Sequence, residues 1–454
     1  MKVLLVPHSV EQQSARIWVA AMDADAPPAG LQMVRLPDDA VIPIPDASWR
    51  PVTADGLLSV EETRFYVQTL TLDNLAENKS YFLKCQGATA RFATLPGALP
   101  KPGETPLAVL LGSCYHFGND PAGQVGHAAA NLPADSVPYF KILCGDQVYL
   151  DYPVFFLGLS FRETGLARDF FGKYLRNWSD QPGYRDLLET GGSYFTADDH
   201  EFWNNFPNAT TLISNTWSDM GRKAMKRSAL AFFRDFQCED PPQAGRPRRF
   251  QIGSLSFCIA DTRLFRAEGD SDFMDRNDFN GLLDWIRKLP GPGVLVVGQP
   301  IFAAPANRFE KRFADRALSN YSQYQDLVRA LFDAPHSVLI LTGDVHYGRV
   351  AGCRIWSRPS RPQIYEIIAS PSSLVNRAVG GRAHGPPSKF PPQPIAGVSQ
   401  VPMDEKPGYR TAEEHFVTLH FTEHSGIVEV QPRYWFPRRD NRAIPETPPP
   451  LKLF

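Results

Sequence analysis

The sequence predicts an α+β layered chain in two parts, a small β-sandwich over residues 1–97 and a larger layered αββα domain over residues 106–454. Three observations carry this. Short strand-like runs separated by turns fill the beginning; Pro96-Gly97-Ala98-Leu99-Pro100-Lys101-Pro102-Gly103 then breaks the pattern; and from Leu107 onward apolar strands alternate with longer runs of helical period.

In the first part, 16–19, 31–34, 65–67, 81–85 and 91–94 read as strands, a number and size that fit an immunoglobulin-like or fibronectin-like sandwich. The Pro/Gly stretch suits neither helix nor central strand and marks the boundary. Beyond it the expected strands are 107–111, 140–143, 194–197, 255–260, 294–298 and 338–342. Between them Trp217, Met220, Ala224, Leu230 and Phe233 recur near helical spacing, as do Leu282, Leu283, Trp285, Ile286 and Leu289. Both sets are expected to face a core. Residues 376–410 carry too much Gly and Pro for an ordinary connection and read as a site-covering loop or disorder. A hairpin is expected from 415–421 and 426–430, followed by a Pro-rich surface tail from Pro437.

With 454 residues, 43% of them hydrophobic, the chain can bury a sizeable core. A net charge of -2 provides no global positive field for nucleic acid or anionic lipid, and the local cluster Arg222, Lys223, Lys226 and Arg227 reads as a solvated helix face. No segment approaches the ~18 uninterrupted apolar residues of a membrane span. The six cysteines form no Cys-x-x-Cys pair, which suits a reduced, cytoplasmic protein. A chain from which an export leader has been removed is the alternative.

Four apolar runs stop at chemically active residues: Gly112-Ser113-Cys114, Gly145-Asp146-Gln147-Val148-Tyr149, Asp198-Asp199-His200-Glu201 and Gly343-Asp344-Val345-His346. Ionisable groups are costly inside a buried strand and collect where strands emerge into a crevice. Asp146 and Asp344 each follow a glycine, as expected of a carboxylate reaching a cation, although such a pair is also an ordinary turn or cap. In an extended segment Asp344 and His346 would point to the same side and share one centre. Four adjacent titratable groups at Asp198–Glu201 would repel one another without a cation; a solvated helix start is the competing reading. Cys114 and Tyr149 could pair a thiolate with a phenolate, a combination suited to iron, or be a buried thiol and a packed ring.

In this order, with Asn204-Asn205, Asp261-Thr262-Arg263, Gly298-Gln299, Glu366 and Ser370-Pro371-Ser372, the motifs resemble those of PhoD-like (alkaline phosphatase D-type) metallophosphoesterases over nearly the whole chain. The resemblance implies a phosphate-ester hydrolase, acting on monoesters, diesters or both, with a multinuclear metal site between two packed sheets of a four-layer αββα domain. Iron and calcium are the metals it implies, with manganese, magnesium or zinc as alternatives. By the same carry-over Cys114, Asp146, Tyr149 and Asp344 surround the iron, Asp146 bridges to a second cation, and Asp199 and His346 are further ligands. His200 stands over the phosphate and protonates the leaving group. Asn204, Asn205 and Arg263 are candidate donors to phosphate oxygens, against a loop-cap role for each asparagine and a structural ion pair for the arginine. The expected partner is a small-molecule phosphate ester. Two other readings are a binding or adhesion protein with a structural metal and a phosphodiesterase directed at nucleic acid, which the lack of a basic stripe disfavours.

Overall fold

The computed structural model describes residues 1–46, 48–152, 160, 162–180, 183–307, 316–355, 362–373, 383–406, 408–439 and 444–454. The chain begins with two antiparallel four-stranded sheets. One is ordered Lys2–Val10, Ala15–Met22, Tyr66–Leu72, Arg50–Pro51; the other Ala40–Ile42, Gln32–Leu36, Ser80–Cys85, Ala88–Ala93. Sequence reading missed Lys2–Val10 because Pro7 interrupts it. The strand survives through a shift of register between Pro7 and Ser9, the place where a sheet tolerates a residue without an N–H.

Two large mixed sheets follow. The first runs Gly192–Thr196, Phe140–Cys144, Leu107–Gly112, Phe416–His424, Ile427–Trp435, Leu451–Leu453. The second runs Arg248–Ile252, Leu255–Ile259, Gly293–Val296, Val338–Thr342, Gln363–Ile368, Gly348–Arg354, Tyr409–Thr411. Their facing sides form one apolar cluster in which Val109, Leu111 and Ile142 join Phe257, Val294, Leu339 and Ile367. The other side of the first sheet, at Leu110 and Leu143, packs with Val125, Phe170 and Phe232 from the helices Gln124–Ala130, Glu163–Leu175 and Asp219–Phe236. Cys258, Leu295 and Ile340 on the far side of the second sheet meet Leu282, Ile286, Leu327 and Leu331 of Arg276–Arg287 and Gln323–Asp333. Covered on both faces, the strands have no polar alternation, which is why they read as continuous apolar runs.

Three expectations need correction. Trp217 and Met220 do not face a core: they are 58% and 81% exposed, because the helix begins only at Asp219, capped by Ser218, and its first turn lies outside the packed layer. The segment 376–410 is not one loop, since Lys389–Phe390 pairs with Val401–Pro402 and Tyr409–Thr411 edges the seven-stranded sheet; residues 376–382 and 407 lie outside the described residues. Asp344 and His346 are not in an extended segment, with φ of 67° and 56°. The predicted hairpin forms, with His424 paired to Ile427 across its turn.

The N-terminal sheets share cores with the rest of the chain. Val3, Leu5 and Phe92 belong to the same cluster as the two large sheets, while Val6, Trp18 and Ala20 enter the cluster of the helices. Trp18 Nε1 donates to the Asp235 carbonyl at 2.8 Å, and the Tyr194 hydroxyl donates to the Val10 carbonyl at 2.8 Å. All six cysteines are free thiols, and among the described residues no helix is long and apolar enough to cross a membrane.

Candidate metal centre

Three parallel strands of the first large sheet and four of the second end at one crevice. Cys114, Asp146 and Asp344 each lie two residues beyond the end of a strand, at Gly112, Cys144 and Thr342. Cys114, Asp146, Asn205, Asp344 and His346 all have φ between 55° and 69°. Left-handed backbone costs a non-glycine residue about 1 kcal/mol or more, and here it recurs at one place. The preceding glycines are sterically required. A Cβ on Gly145, itself at φ 78°, would lie 2.4 Å from the Asp198 Cβ, and one on Gly343 would lie 2.3 Å from the Ser113 Oγ.

The groups gather into three overlapping sets whose ligand atoms lie within 4.8 Å of one another: Cys114, Asp146 and His346; Asp146, Asp199 and His200; Asp198, Asp199 and Asp344. Asp344 and His346 thus fall in different sets, a consequence of the bent backbone between them. Asp146 joins the first two sets, and its Oδ2 lies 3.3 Å from the Cys114 Sγ. Ser370 Oγ donates to that sulfur at 3.2 Å and accepts from the His346 N–H at 3.0 Å. The Tyr149 hydroxyl is buried without a hydrogen-bond partner among the described residues, and its ring lies 4.2 Å from that of His200.

Sequence reasoning missed one residue that positions this ring, Asp151, and singled out a second, Glu201, without assigning its role. Asp151, fully buried, accepts from His200 Nδ1 at 2.7 Å and from the Asn204 N–H at 2.7 Å. Glu201, also fully buried, accepts from the N–H groups of Asp146, Gln147 and Asp198 at 2.8, 2.6 and 2.8 Å. It therefore braces two strand ends instead of facing the crevice. The only sequence signal for Asp151 was its place two residues beyond Tyr149. Asp198–Glu201 does begin a short helical turn, but a buried one, so the solvated reading does not apply.

Of the expected phosphate donors, Asn205 is buried and its N–H donates to Asp199 Oδ2 at 2.7 Å. Arg263 is fully buried and paired with Asp198, and its Nη1 donates to the Phe206 carbonyl at 2.9 Å. This is the structural ion pair, in place of an exposed phosphate donor. Gln299 donates to Asp344 Oδ2 at 3.0 Å and accepts from Arg266 at 2.9 Å. Glu366 lies deeper, accepting from the Ile301 and Phe302 N–H groups and pairing with Arg349.

The electrostatics show an excess of negative charge. Burial pushes the Asp146 carboxyl well above its usual range, with Asp199, Asp198 and Glu201 adding to the effect against His200. Burial likewise raises the Cys114 thiol, helped by Asp146 and Asp344, and the Tyr149 phenol, helped by Cys114 and Asp146. Burial disfavours charge on His200, but Asp151, Asp199 and Asp146 outweigh it and hold the imidazole protonated well above the ordinary value. A bound cation inverts this balance, favouring carboxylate, thiolate and phenolate together. The buried phenol, the thiol and the clustered carboxylates and imidazoles fit a metal ion.

No protein-family model matches the chain, and no curated protein does. Among solved structures, one described as the structure of PhoD superposes with a TM-score of 0.65 over 99% of this chain and 89% of that one, at 13% identity. The chain has a PhoD-like fold. A second, described as GAP50, the anchor in the inner membrane complex of Plasmodium, is 12% identical over 75% of this chain and 88% of that one, with a TM-score of 0.38. In the PhoD-like fold the strand ends described above converge from both large sheets, so the candidate ligands come from segments far apart in sequence.

Proposed function

We propose that this chain is a metal-dependent hydrolase of phosphate esters, a PhoD-like metallophosphoesterase with an immunoglobulin/fibronectin-like sandwich over 1–97 and a four-layer αββα catalytic domain over 106–454. The convergence of Cys114, Asp146, Tyr149, Asp199, His200, Asp344 and His346 on one crevice carries this reading.

In it Cys114, Asp146, Tyr149 and Asp344 would hold iron, and Asp146, Asp199 and His346 would serve a second cation such as calcium. Bound there, the cations would supply Lewis acidity, polarising the phosphoryl group and lowering the pKa of a water molecule. The protein supplies position and protons. His200 donates Nδ1–H to Asp151, which fixes the ring and leaves Nε2 to protonate the departing oxygen. Asn204 and Asn205 orient phosphate oxygens. Arg263 acts from behind, holding Asp198 in place. The substrate is a small phosphate mono- or diester, hydrolysed in the cytoplasm.

The test combines metal analysis, visible absorption and parallel assays with mono- and bis-nitrophenyl phosphate. The expected result is a coloured, iron-containing protein active on at least one substrate. Colourless protein, metal-free and inactive on both after reconstitution with iron, calcium and manganese, would falsify the proposal.

A further inference from the structure

The buried turn 145–151, which carries Asp146, Tyr149 and Asp151, lies outside any strand or helix, so its backbone carbonyls need partners from elsewhere. Gly145 O accepts from the Cys114 N–H at 3.4 Å, and Asp146 O from the Tyr115 N–H at 2.8 Å. Two carbonyls on either side of Tyr149 are met differently, by side chains. Gln147 O accepts from Asn177 Nδ2, and Leu150 O accepts from Lys173 Nζ. Lys173 lies near the end of the helix Glu163–Leu175, and Asn177 in the π-helical turn Arg176–Asp180 that continues it. Residues four apart share a helix face, so one short stretch presents both donors to the turn.

Packing does not call for either residue. Lys173 is only 9% exposed, with Nζ 5.9 Å from the centre of the Phe170 ring. Among the described residues no carboxylate forms an ion pair with it, and the Leu150 carbonyl is its hydrogen-bond acceptor. A buried ammonium with so few partners costs stability that an apolar side chain in the same place would not. Burial pushes it down to about 8, with Asp151 and Asp169 opposing, so at neutral pH it is a charged and therefore strong donor. Asn177, 1% exposed, likewise buries an amide where an apolar residue would pack.

What the two donors share is the stretch of chain between their acceptors. Within it the Tyr149 phenol lies near Cys114 and Asp146, with its ring centre 4.2 Å from that of His200. Directly after Leu150 comes Asp151, which accepts from His200 Nδ1. We propose that Lys173 and Asn177 are positioning residues that grip the chain on either side of Tyr149, holding its phenol toward the metal crevice and Asp151 against His200. The kinetic consequence rests on the phosphoesterase reading; the grip itself does not.

The test compares the full wild-type chain with Lys173→Met, which keeps the stem and loses the charge, Asn177→Leu, which keeps the bulk and loses the amide, and Lys173→Arg, which keeps a cationic donor. Hydrogen exchange in the metal-free protein is the first readout, because it needs no catalysis. Lys173→Met and Asn177→Leu quicken exchange about tenfold or more at the Asp146, Gln147 and Leu150 amides, which donate to Glu201 and to the His200 carbonyl, and leave 107–112 and 338–342 unchanged. Lys173→Arg restores the wild-type rate. If the first two variants do not fold, Asn177→Ser, shorter and still polar, gives the same local quickening. Unchanged exchange at the turn, or equal quickening through both large sheets, overturns the grip, and failure of Lys173→Arg to restore the rate overturns the part given to the ammonium. With metal restored, kcat falls about 10- to 100-fold at nearly constant KM in the quickened variants. Local quickening with kcat unchanged overturns the positioning role. A wild type that hydrolyses no phosphate ester overturns the phosphoesterase reading instead, while the exchange comparison still decides the grip.

Discussion

The strand-end crevice and the junction of the N-terminal sheet with the helices both bury many polar groups, but they treat them in opposite ways. At the junction polar groups are neutral or satisfied. The Trp18 indole and the Tyr194 hydroxyl reach backbone carbonyls, Arg50 pairs with Asp235, and burial pushes His8 down to about 3, so its imidazole is uncharged. At the crevice, carboxylates, a thiol and a phenol share one space, Cys114, Asp146 and Asp344 on left-handed backbone, and burial with the neighbouring acidic groups raises the pKa of Cys114, Asp146 and Tyr149. The junction is self-sufficient in stabilising the fold, whereas the crevice is arranged for a charge the chain does not itself supply.

Four experiments probe that contrast. The largest effect falls on Asp146→Asn, which should reduce phosphate-ester hydrolysis by about four orders of magnitude, roughly 5 kcal/mol, and lower metal stoichiometry. The metal-free variant should melt no lower than wild type, since the amide can still accept from the His200 N–H. A clear loss of melting temperature would make Asp146 structural and erase the distinction. Next, Trp18→Ala removes a ring packed on His8, Phe65, Trp178 and Phe236 and should cost about 3–5 kcal/mol in urea unfolding. The folded fraction should keep its kcat/KM; a matching loss of activity would show that the junction belongs to the active site.

Asp151→Asn should lower kcat by about 100-fold, the effect of removing a carboxylate that orients a working imidazole. Because Asp151 raises His200, the alkaline limb of the pH profile should also move to lower pH. An unshifted limb would remove His200 as the acid. The smallest effect is His8→Phe. His8 is held at about 3 in the folded chain against 6.5 unfolded, so the folded state binds fewer protons. That stability is present above pH ~6.5 and is lost as pH falls toward 3, reaching about 2 kcal/mol at pH 5. Comparing unfolding at pH 5 and pH 7.5, the variant should lose about 2 kcal/mol less than wild type; an equal loss would mean His8 is not a neutral buried ring.

The sequence announced the crevice more clearly than the junction, for physical reasons. Apolar runs ending at Gly-Asp or Asp-Asp-His-Glu are local signals, because a strand covered on both faces must shed its ionisable residues at one end. Asp151 was overlooked, and Glu201 was left without a role, because their partners are fixed by the turn after Cys144 and not by spacing. Arg248–Ile252 carries polar residues on its exposed side and was not recognised as a strand. Lys2–Val10 was hidden by Pro7, and its docking on Tyr194 spans a separation no local pattern reports. Trp217 and Met220 show the converse error, apolar residues at helical spacing that precede or begin the helix and remain exposed.

The core that runs from Val3 and Leu5 through Phe92 into Ile142 and Leu339 bears on how this chain can be taken apart. Cutting at the Pro/Gly stretch near residue 100 would strip cover from Tyr194, and from Trp178 and Phe236, whose rings pack edge-on or tilted against Trp18. The two N-terminal sheets are therefore not a tag to be deleted or transplanted. Expression of residues 106–454 alone, or of a chimera carrying foreign sheets in place of the N-terminal ones, should yield insoluble protein unless the ring pocket around Trp18 is rebuilt along with it.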